Sequence, residues 1–214
     1  MTSSPTPTSG ILLDLDGTLV DSVYQHVVAW HEAFVEAGYD VPQWRIHAGI
    51  GMGSERIVPW LLGGHVDDAE DLTAGHKRRF LDRTDTLRRT DGALELIDDL
   101  ERREVAFIIS TSAGAEERKA LLAVLGREDL PFTDSSGVDS SKPAPDLLLA
   151  SCTEAGIDPA RAIMIGDSTW DALAAGRAGM QAIAVRWGGF GDAALLGAGA
   201  KRVVDAPRDL VGQL

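Results

Sequence analysis

The sequence predicts an α/β fold, a doubly wound parallel sheet carrying an inserted helical domain. Three observations lead there. From residue 90 onward, strand-like and helix-like segments alternate. The runs VAFIIS at 105–110 and AIMIG at 162–166 are continuously apolar, as expected of strands covered on both faces. Residues 21–88 break the rhythm with helical patterns and no strand pattern.

The elements follow in chain order. Residues 1–9, rich in Ser, Thr and Pro, read as a disordered tail without the basic and apolar regions of a signal peptide. ILLDLD at 11–16 is the first strand. Within 21–88, the stretch VYQHVVAWHEAFVEAG places Val23, Val27, Trp30, Phe34 and Ala37 on one helical face, with Gly38 as a stop. The Gly-rich HAGIGMGSERI comes next, then ERIVPWLL. The densely charged VDDAEDLTAGHKRRFLDRTDTLRR reads as a helix with a solvated face. The expected division is therefore a tail at 1–9, an α/β core at 10–20 and 89–214, and a helical insertion at 21–88.

The core continues with Leu94, Ile97 and Leu100 at helical spacing, the strand at 105–110, and the helix AEERKALLAVLG stopped by Gly126. A short strand near Phe132, the helix PDLLLASCTEAG ended by Gly156, and the strand at 162–166 follow. TWDALAAGRAG is a helix, QAIAV and RVVD are strands, and PRDLVGQL is a last helix. The loop VRWGGFGD at 185–192 is either a ligand loop beyond a strand end or a tight loop needing glycine dihedrals.

Composition excludes several roles. The 214 residues hold 33 acidic and 20 basic side chains, a net charge of −13, and 44% hydrophobic residues. That balance is globular, and its sign opposes nucleic acid and anionic membranes as partners. No apolar run approaches the ~18 residues of a spanning helix, so a cytoplasmic location is expected. The single cysteine, Cys152, rules out an internal disulfide framework and a cysteine-based zinc site. It lies in an apolar run and reads as a core residue.

Four stretches carry candidate chemistry. In DLDGTLVDS, Asp14 and Asp16 are two apart at a strand end, so their carboxylates project to the same side. Like-charge repulsion there needs a divalent cation or a shared proton to offset it, unless the pair is only an acidic turn. Ser110, Thr111 and Ser112 end the next strand, where hydroxyls and free N–H groups can bind a phosphoryl oxygen or simply cap a helix. Lys142 precedes Pro143 in SSKPAPD, and a fixed ammonium can pair with carboxylates and phosphate. In GDSTWD, Asp167 ends a strand and Asp171 lies one helical turn on, where it also suits a helix dipole. Together these acids, hydroxyls and one lysine fall at the C-terminal ends of parallel strands, where an open α/β sheet forms its crevice. Hard oxygen ligands suit Mg²⁺.

The ordered set DLDGTLVDS, IISTS, SKPAPD and GDSTWD resembles the haloacid dehalogenase superfamily, in the branch with a helical cap after the first motif. Phosphoglycolate phosphatases and beta-phosphoglucomutases are its better-known members. The resemblance runs from residue 10 over nearly the whole chain. It implies Asp14 as a nucleophile forming an aspartyl-phosphate, and Asp16 as the acid for the leaving oxygen and then the base for water. It implies Mg²⁺ held by the carboxylates of Asp14 and Asp167 and the backbone carbonyl of Asp16, with Asp171 holding a metal-bound water or Lys142. Ser110, with the N–H groups of Thr111 and Ser112, would bind the phosphoryl group, and Lys142 would neutralise charge beside it. Residues 21–88 would form the lid over a small phosphorylated metabolite.

Among the reactions of that family, Asp16 argues against dehalogenation, since halide leaves without a proton. A phosphonatase needs a cap lysine, and Lys77, the lysine of this block, is expected far from the Gly-rich segment. A glucose-phosphate type mutase is expected to carry an arginine where Ser54 stands, with Arg56 two positions on. Phosphate monoester hydrolysis is the leading expectation, with a sugar-phosphate mutase or a catalytically idle binding protein as alternatives. Gly51, Ser54, Glu55 and Arg56 are the expected substrate selectors, and the 188–191 loop is the next candidate. The expected assembly is a monomer or weak homodimer.

Overall fold

The computed structural model describes residues 8–135 and 140–214. Its main sheet is built from β1 (Thr8–Leu13), β4 (Ala106–Thr111), β5 (Phe132–Asp134), β6 (Ile157–Gly166), β7 (Gln181–Val185) and β8 (Arg202–Val204). The strands are ordered β5-β4-β1-β6-β7-β8, and every pairing is parallel. A second, two-stranded ribbon pairs β2 (Val20–Asp21) antiparallel with β3 (Arg88–Arg89).

Strand periodicity explains the layering. Leu12 is level with Ile108 and Met164, and all three enter one apolar cluster with Leu148, Cys152, Ala172, Ala175 and Leu195. Their neighbours Leu13, Ile109 and Ile165 point the other way, into a cluster with Leu96, Ile97, Leu100, Leu121 and Leu125. One face is covered by α7 (Asp146–Ala155), α8 (Thr169–Arg177) and α9 (Asp192–Gly197). The other is covered by α5 (Ala93–Arg102) and α6 (Ala115–Leu125). Central strands buried on both sides must be apolar throughout, as the sequence runs indicated. Helices α6 and α7 stop at Gly126 and Gly156, both in the left-handed conformation that tolerates glycine best.

Residues between the ribbon strands form α1 (Val23–Glu36), α2 (Gln43–Gly49), α3 (Ser54–Leu62) and α4 (Ala69–Leu81). They bury their own cluster, including Val23, Val27, Trp30, Phe34, Ile46, Ile57, Leu61 and Leu72. Facing charges on α1 and α4 pair, with Arg79 Nε 3.7 Å from Glu32 Oε2, and Arg83 just past α4 adds a contact, its Nη2 2.6 Å from Glu32 Oε1. The charged α4 is thus not solvated all round: Leu72, His76 and Phe80, spaced by four, face inward.

Several expectations are corrected. Residues 1–7 of the expected tail lie outside the described residues, but Thr8 and Ser9 already belong to β1. β1 ends at Leu13, so Asp14 and Asp16 sit just beyond the strand, on a turn that Gly17 makes possible at φ +70°. The segment at 207–210 is a 3-10 turn where an α-helix was expected, and α2 and α9 have no counterpart in the sequence reading. Both are short, at seven and six residues, below the length at which periodicity declares itself.

Cys152 is buried between α7 and the sheet, and burial pushes its thiol up to about 11. The native protein at pH 8 should therefore give no rapid reaction with Ellman's reagent, and one equivalent after denaturation. Fast titration of the folded protein would show that this side of the sheet is open.

Candidate active site

At the C-terminal ends of β1, β4 and β6, four charged side chains meet out of solvent. Lys142 is 1% exposed, and Asp14, Asp167 and Asp171 are 5%, 3% and 2% exposed. Lys142 Nζ donates to Asp14 Oδ1 and, at 3.2 Å, to the Ser110 carbonyl; it also lies 2.8 Å from Asp171 Oδ1. Carboxylate oxygens of Asp14, Asp167 and Asp171 come within 4.8 Å of one another. Asp171 keeps a second role at the start of α8, where its Oδ2 accepts from the N–H and hydroxyl of Ser168 at 3.1 and 2.6 Å. Helix cap and lysine partner are therefore one residue.

One ammonium does not balance three carboxylates. Burial raises Asp14 to about 7 even with Lys142 beside it, and Asp171 adds to the rise. Burial and the charges of Asp171 and Asp14 hold Asp167 well above the ordinary carboxylate range. Burial works against the charge on Lys142, but Asp14 and Asp171 outweigh it and raise the ammonium's pKa. Asp167 is also sterically fenced. Thr18 Oγ1 donates to its Oδ1 at 3.1 Å, and a Cβ at Gly17 or Gly188 would fall 2.3 or 2.0 Å from its Oδ2. A crowded, electron-rich set of hard oxygens with surplus negative charge fits a small divalent cation such as Mg²⁺.

Asp16 is held apart from this group. Its Oδ1 accepts from Ser22 Oγ at 2.6 Å and from His26 Nε2 at 2.9 Å. Burial alone would raise Asp16, but His26 and Ser22 outweigh it and lower its pKa. Burial likewise opposes charge on His26, and Asp16 overrides it in the other direction. With both His26 nitrogens protonated, Nδ1 donates to His76 Nε2 at 2.9 Å. His76 stays neutral, since burial and the neighbouring His26 push it well below its usual value. Its Nδ1 faces Glu117 Oε1 of α6 at 3.7 Å. Aromatic faces clamp both rings: His26 stacks on Phe80 at 3.8 Å and His76 on Trp30 at 4.1 Å. The sequence reading missed this chain. The available signal was histidine on an apolar face: His26 between Val23 and Val27, and His76 between Leu72 and Phe80.

A cavity of about 230 Å³ opens over Asp14 and Asp16. Its walls mix core residues, including Ser112, Gly114 and Glu117, with Trp30, Met52, Ser54, Thr73 and Lys77 of the helical module. The three hydroxyls at the end of β4 are not equivalent. Ser112 lines the cavity, and its buried Oγ has no hydrogen-bond partner. Ser110 Oγ accepts from Ser151 Oγ at 2.8 Å, and Thr111 Oγ1 accepts from the Ala113 N–H at 3.0 Å, so neither hydroxyl reaches the cavity wall.

The module's expected selectors divide similarly. Gly51 and Ser54 line the cavity; Glu55 and Arg56 do not. Glu55 turns to Ser141 of the core, and Arg56 stays half-exposed beside Glu55 at 3.8 Å. Lys77 corrects the expectation that it lies far from the Gly-rich segment: it shares the cavity with Gly51, Met52 and Ser54, and pairs with Glu116 at 3.0 Å. The 188–191 loop is outside the cavity. The Gly188 carbonyl lies 2.7 Å from His47 Nε2, and Phe190 stacks on the same ring at 4.8 Å.

Residues 8–179 match the haloacid dehalogenase-like hydrolase family. The N-acetylmuramic acid 6-phosphate phosphatase of Pseudomonas aeruginosa is 28% identical over 211 residues, covering 95% of this chain and 93% of its own length. A plasmid phosphoglycolate phosphatase of Cupriavidus necator is 30% identical over 210 residues, covering 94% and 90%. The crystal structure of a hydrolase from Pseudomonas syringae superposes with a TM-score of 0.92 at 33% identity, covering 95% of this chain and 96% of that one. The chain belongs to the haloacid dehalogenase-like hydrolases. It is an enzyme of that hydrolase class, and the two named relatives are phosphatases.

The fence around Asp167 is testable. Gly188→Ala places a methyl against its carboxylate, and overpacking of that kind costs about 1–3 kcal/mol. Thermal melting should fall by roughly 2–4 °C for each kcal/mol lost in a chain of this size. An unchanged melting temperature would mean that the loop yields freely and does not hold Asp167.

Proposed function

We propose that the protein is a Mg²⁺-dependent phosphatase that hydrolyses a small phosphorylated metabolite through an aspartyl-phosphate on Asp14. The observation that carries this reading is the Asp14 carboxylate at the cavity floor, held by Lys142, with the unpartnered Ser112 hydroxyl in the same wall. A nucleophile, a fixed cation and a free donor around one small space suit a tetrahedral dianion.

Asp14, Asp167 and the Asp16 backbone carbonyl would hold Mg²⁺, with Asp171 behind them; when bound, the ion neutralises charge on the phosphoryl oxygens and on the carboxylates. Asp14 attacks phosphorus from the side opposite the leaving oxygen. Asp16, kept ionised by His26 and Ser22, would take a proton from the protonated His26 and pass it to that oxygen, then take one from the water that cleaves the aspartyl-phosphate and return it to His26. Lys142 keeps the Asp14 carboxylate aimed and offsets charge as the phosphoryl group transfers. Ser112, which lines the cavity, would receive a phosphoryl oxygen through its backbone N–H and its hydroxyl, while Ser110 and Thr111 stand behind it in β4. The module above acts as a cap that excludes bulk water. A location in the cytoplasm agrees with this substrate class; among the described residues no helix is long and apolar enough to cross a membrane. Phosphatase is favoured over mutase because Arg56 stands outside the cavity wall and Ser54 within it.

The decisive assay is Mg²⁺-dependent hydrolysis of p-nitrophenyl phosphate. Asp14→Asn should lower kcat by at least about three orders of magnitude, since the covalent route is lost. Metal binding with no turnover of any phosphomonoester would instead mark an idle protein on the same fold.

The raised carboxylates give a second test. Without metal, burial raises Asp14 to about 7 and holds Asp167 above the ordinary carboxylate range, so Mg²⁺ competes with protons there. Its apparent affinity should fall as pH drops from 8 to 6. Calorimetry in two buffers of different ionisation enthalpy should show proton release on binding. Flat affinity across that range would contradict the assignment of these carboxylates as ligands.

A further inference from the structure

The Gly-rich stretch of the module reads, in sequence, as a loop that approaches substrate. In the structure it approaches the core. A Cβ at Gly53 would fall 2.3 Å from Ser141 Oγ, and one at Gly51 would fall 2.6 Å from Ser168 Oγ. Both glycines therefore leave room for the loop backbone to lie directly on a core serine, and Gly51 has φ +102° besides. Those serines have specific neighbours: Ser141 immediately precedes Lys142, and Ser168 immediately follows Asp167 and hydrogen-bonds Asp171.

At the first contact the two parts are tied by three hydrogen bonds. The Gly53 N–H donates to Ser141 Oγ at 3.1 Å, the Ser141 N–H donates to Glu55 Oε1 at 3.2 Å, and the Ser141 hydroxyl donates to that same oxygen. Ser141 is 1% exposed, so its N–H and hydroxyl are out of water, while the Glu55 side chain that reaches them stays 56% exposed. Charge-assisted bonds to a carboxylate are the stronger kind. They hold the backbone from which the Lys142 stem departs toward Asp14 and Asp171.

We propose that Glu55 is a positioning residue: seated on Ser141, it sets the place of Lys142 at the phosphoryl site when the Gly51–Gly53 stretch and the first turn of α3 are docked. This rests on the phosphatase reading and replaces substrate selection as the role of Glu55. The two roles separate cleanly. A selector reads the leaving group, so its loss is felt unevenly across substrates. A residue acting through Lys142 touches the half that every phosphomonoester shares, and inorganic phosphate as well.

Inorganic phosphate is thus the probe, because it has no leaving group to select. Its inhibition constant is measured with Mg²⁺ present, beside kcat/KM for p-nitrophenyl phosphate and two sugar phosphates and the melting temperature. Glu55→Ala should weaken phosphate inhibition about tenfold and lower kcat/KM by a similar factor on every substrate. Glu55→Gln keeps an oxygen that accepts from Ser141 and should recover most of the loss. Ser141→Ala, which deletes only a hydroxyl, should show a smaller loss of the same pattern and carries the test if Glu55→Ala does not fold. Wild-type phosphate inhibition in both Glu55→Ala and Ser141→Ala would overturn the proposal, as would losses confined to the sugar phosphates. A wild-type protein that neither hydrolyses phosphomonoesters nor is inhibited by phosphate fails one step earlier, at the phosphatase reading, and takes this proposal with it.

Discussion

The ammonium of Lys142, out of water between Asp14 and Asp171, is the contact on which the arrangement of the strand ends depends. Carboxylates crowded into a low-dielectric site repel one another and resist ionisation. One cation anchored in the loop before α7 offsets part of that repulsion and links groups from β1 and the start of α8. Removing one partner of such a buried set typically costs 3–5 kcal/mol, because the other charges are then stranded. The remaining imbalance is what makes the site receptive to a cation and to an anionic ligand together.

The helical module rests on the same few residues. His47 lies against Gly188 and Phe190, the Trp170 indole donates to the Ala48 carbonyl at 3.0 Å, and Gly53 and Glu55 bind Ser141. Ser141 precedes Lys142, Trp170 lies three residues after Asp167, and Gly188 packs against the Asp167 carboxylate. The chain Asp16–His26–His76–Glu117 adds a fourth tie, running from the core through two module helices and back to α6. A module that binds the outside of the charged site this way has its position coupled to the site's geometry.

The fold was legible because its strands are buried on both faces, so 105–110 and 162–166 announce themselves as unbroken apolar runs. The charged residues were legible because each follows such a run: Asp14 after Leu13, Asp167 after Gly166. What the sequence hid is orientation across the two parts. Nothing in the local pattern tells that Glu55 turns to Ser141 while Ser54 faces the cavity, or that Ser112 and not Ser110 has a free hydroxyl. The glycines at 51 and 53 do signal close backbone approach, but the partner they approach is set by tertiary packing. His26 and His76 were hidden by their own surroundings, as polar residues on apolar faces are easily taken for interruptions of the pattern.

The ribbon formed by β2 and β3 has a consequence for how such a protein can be assembled from parts. The chain leaves the sheet layer at Asp21 and returns at Arg88, and those two residues are paired directly across the ribbon. Paired strands lie ~5 Å apart, so the intervening residues could be exchanged for another insert without moving either stump. The graft is not seamless, because Ala29 and Phe80 of the module enter the core cluster alongside Leu19 and Leu87. A foreign insert would thus have to supply a small residue and a large aromatic one at the base, and farther out it would have to replace the contacts made to Asp16 and Ser141. The architecture is a socket with two fixed pins, and what plugs into it is free to vary only between those points of contact.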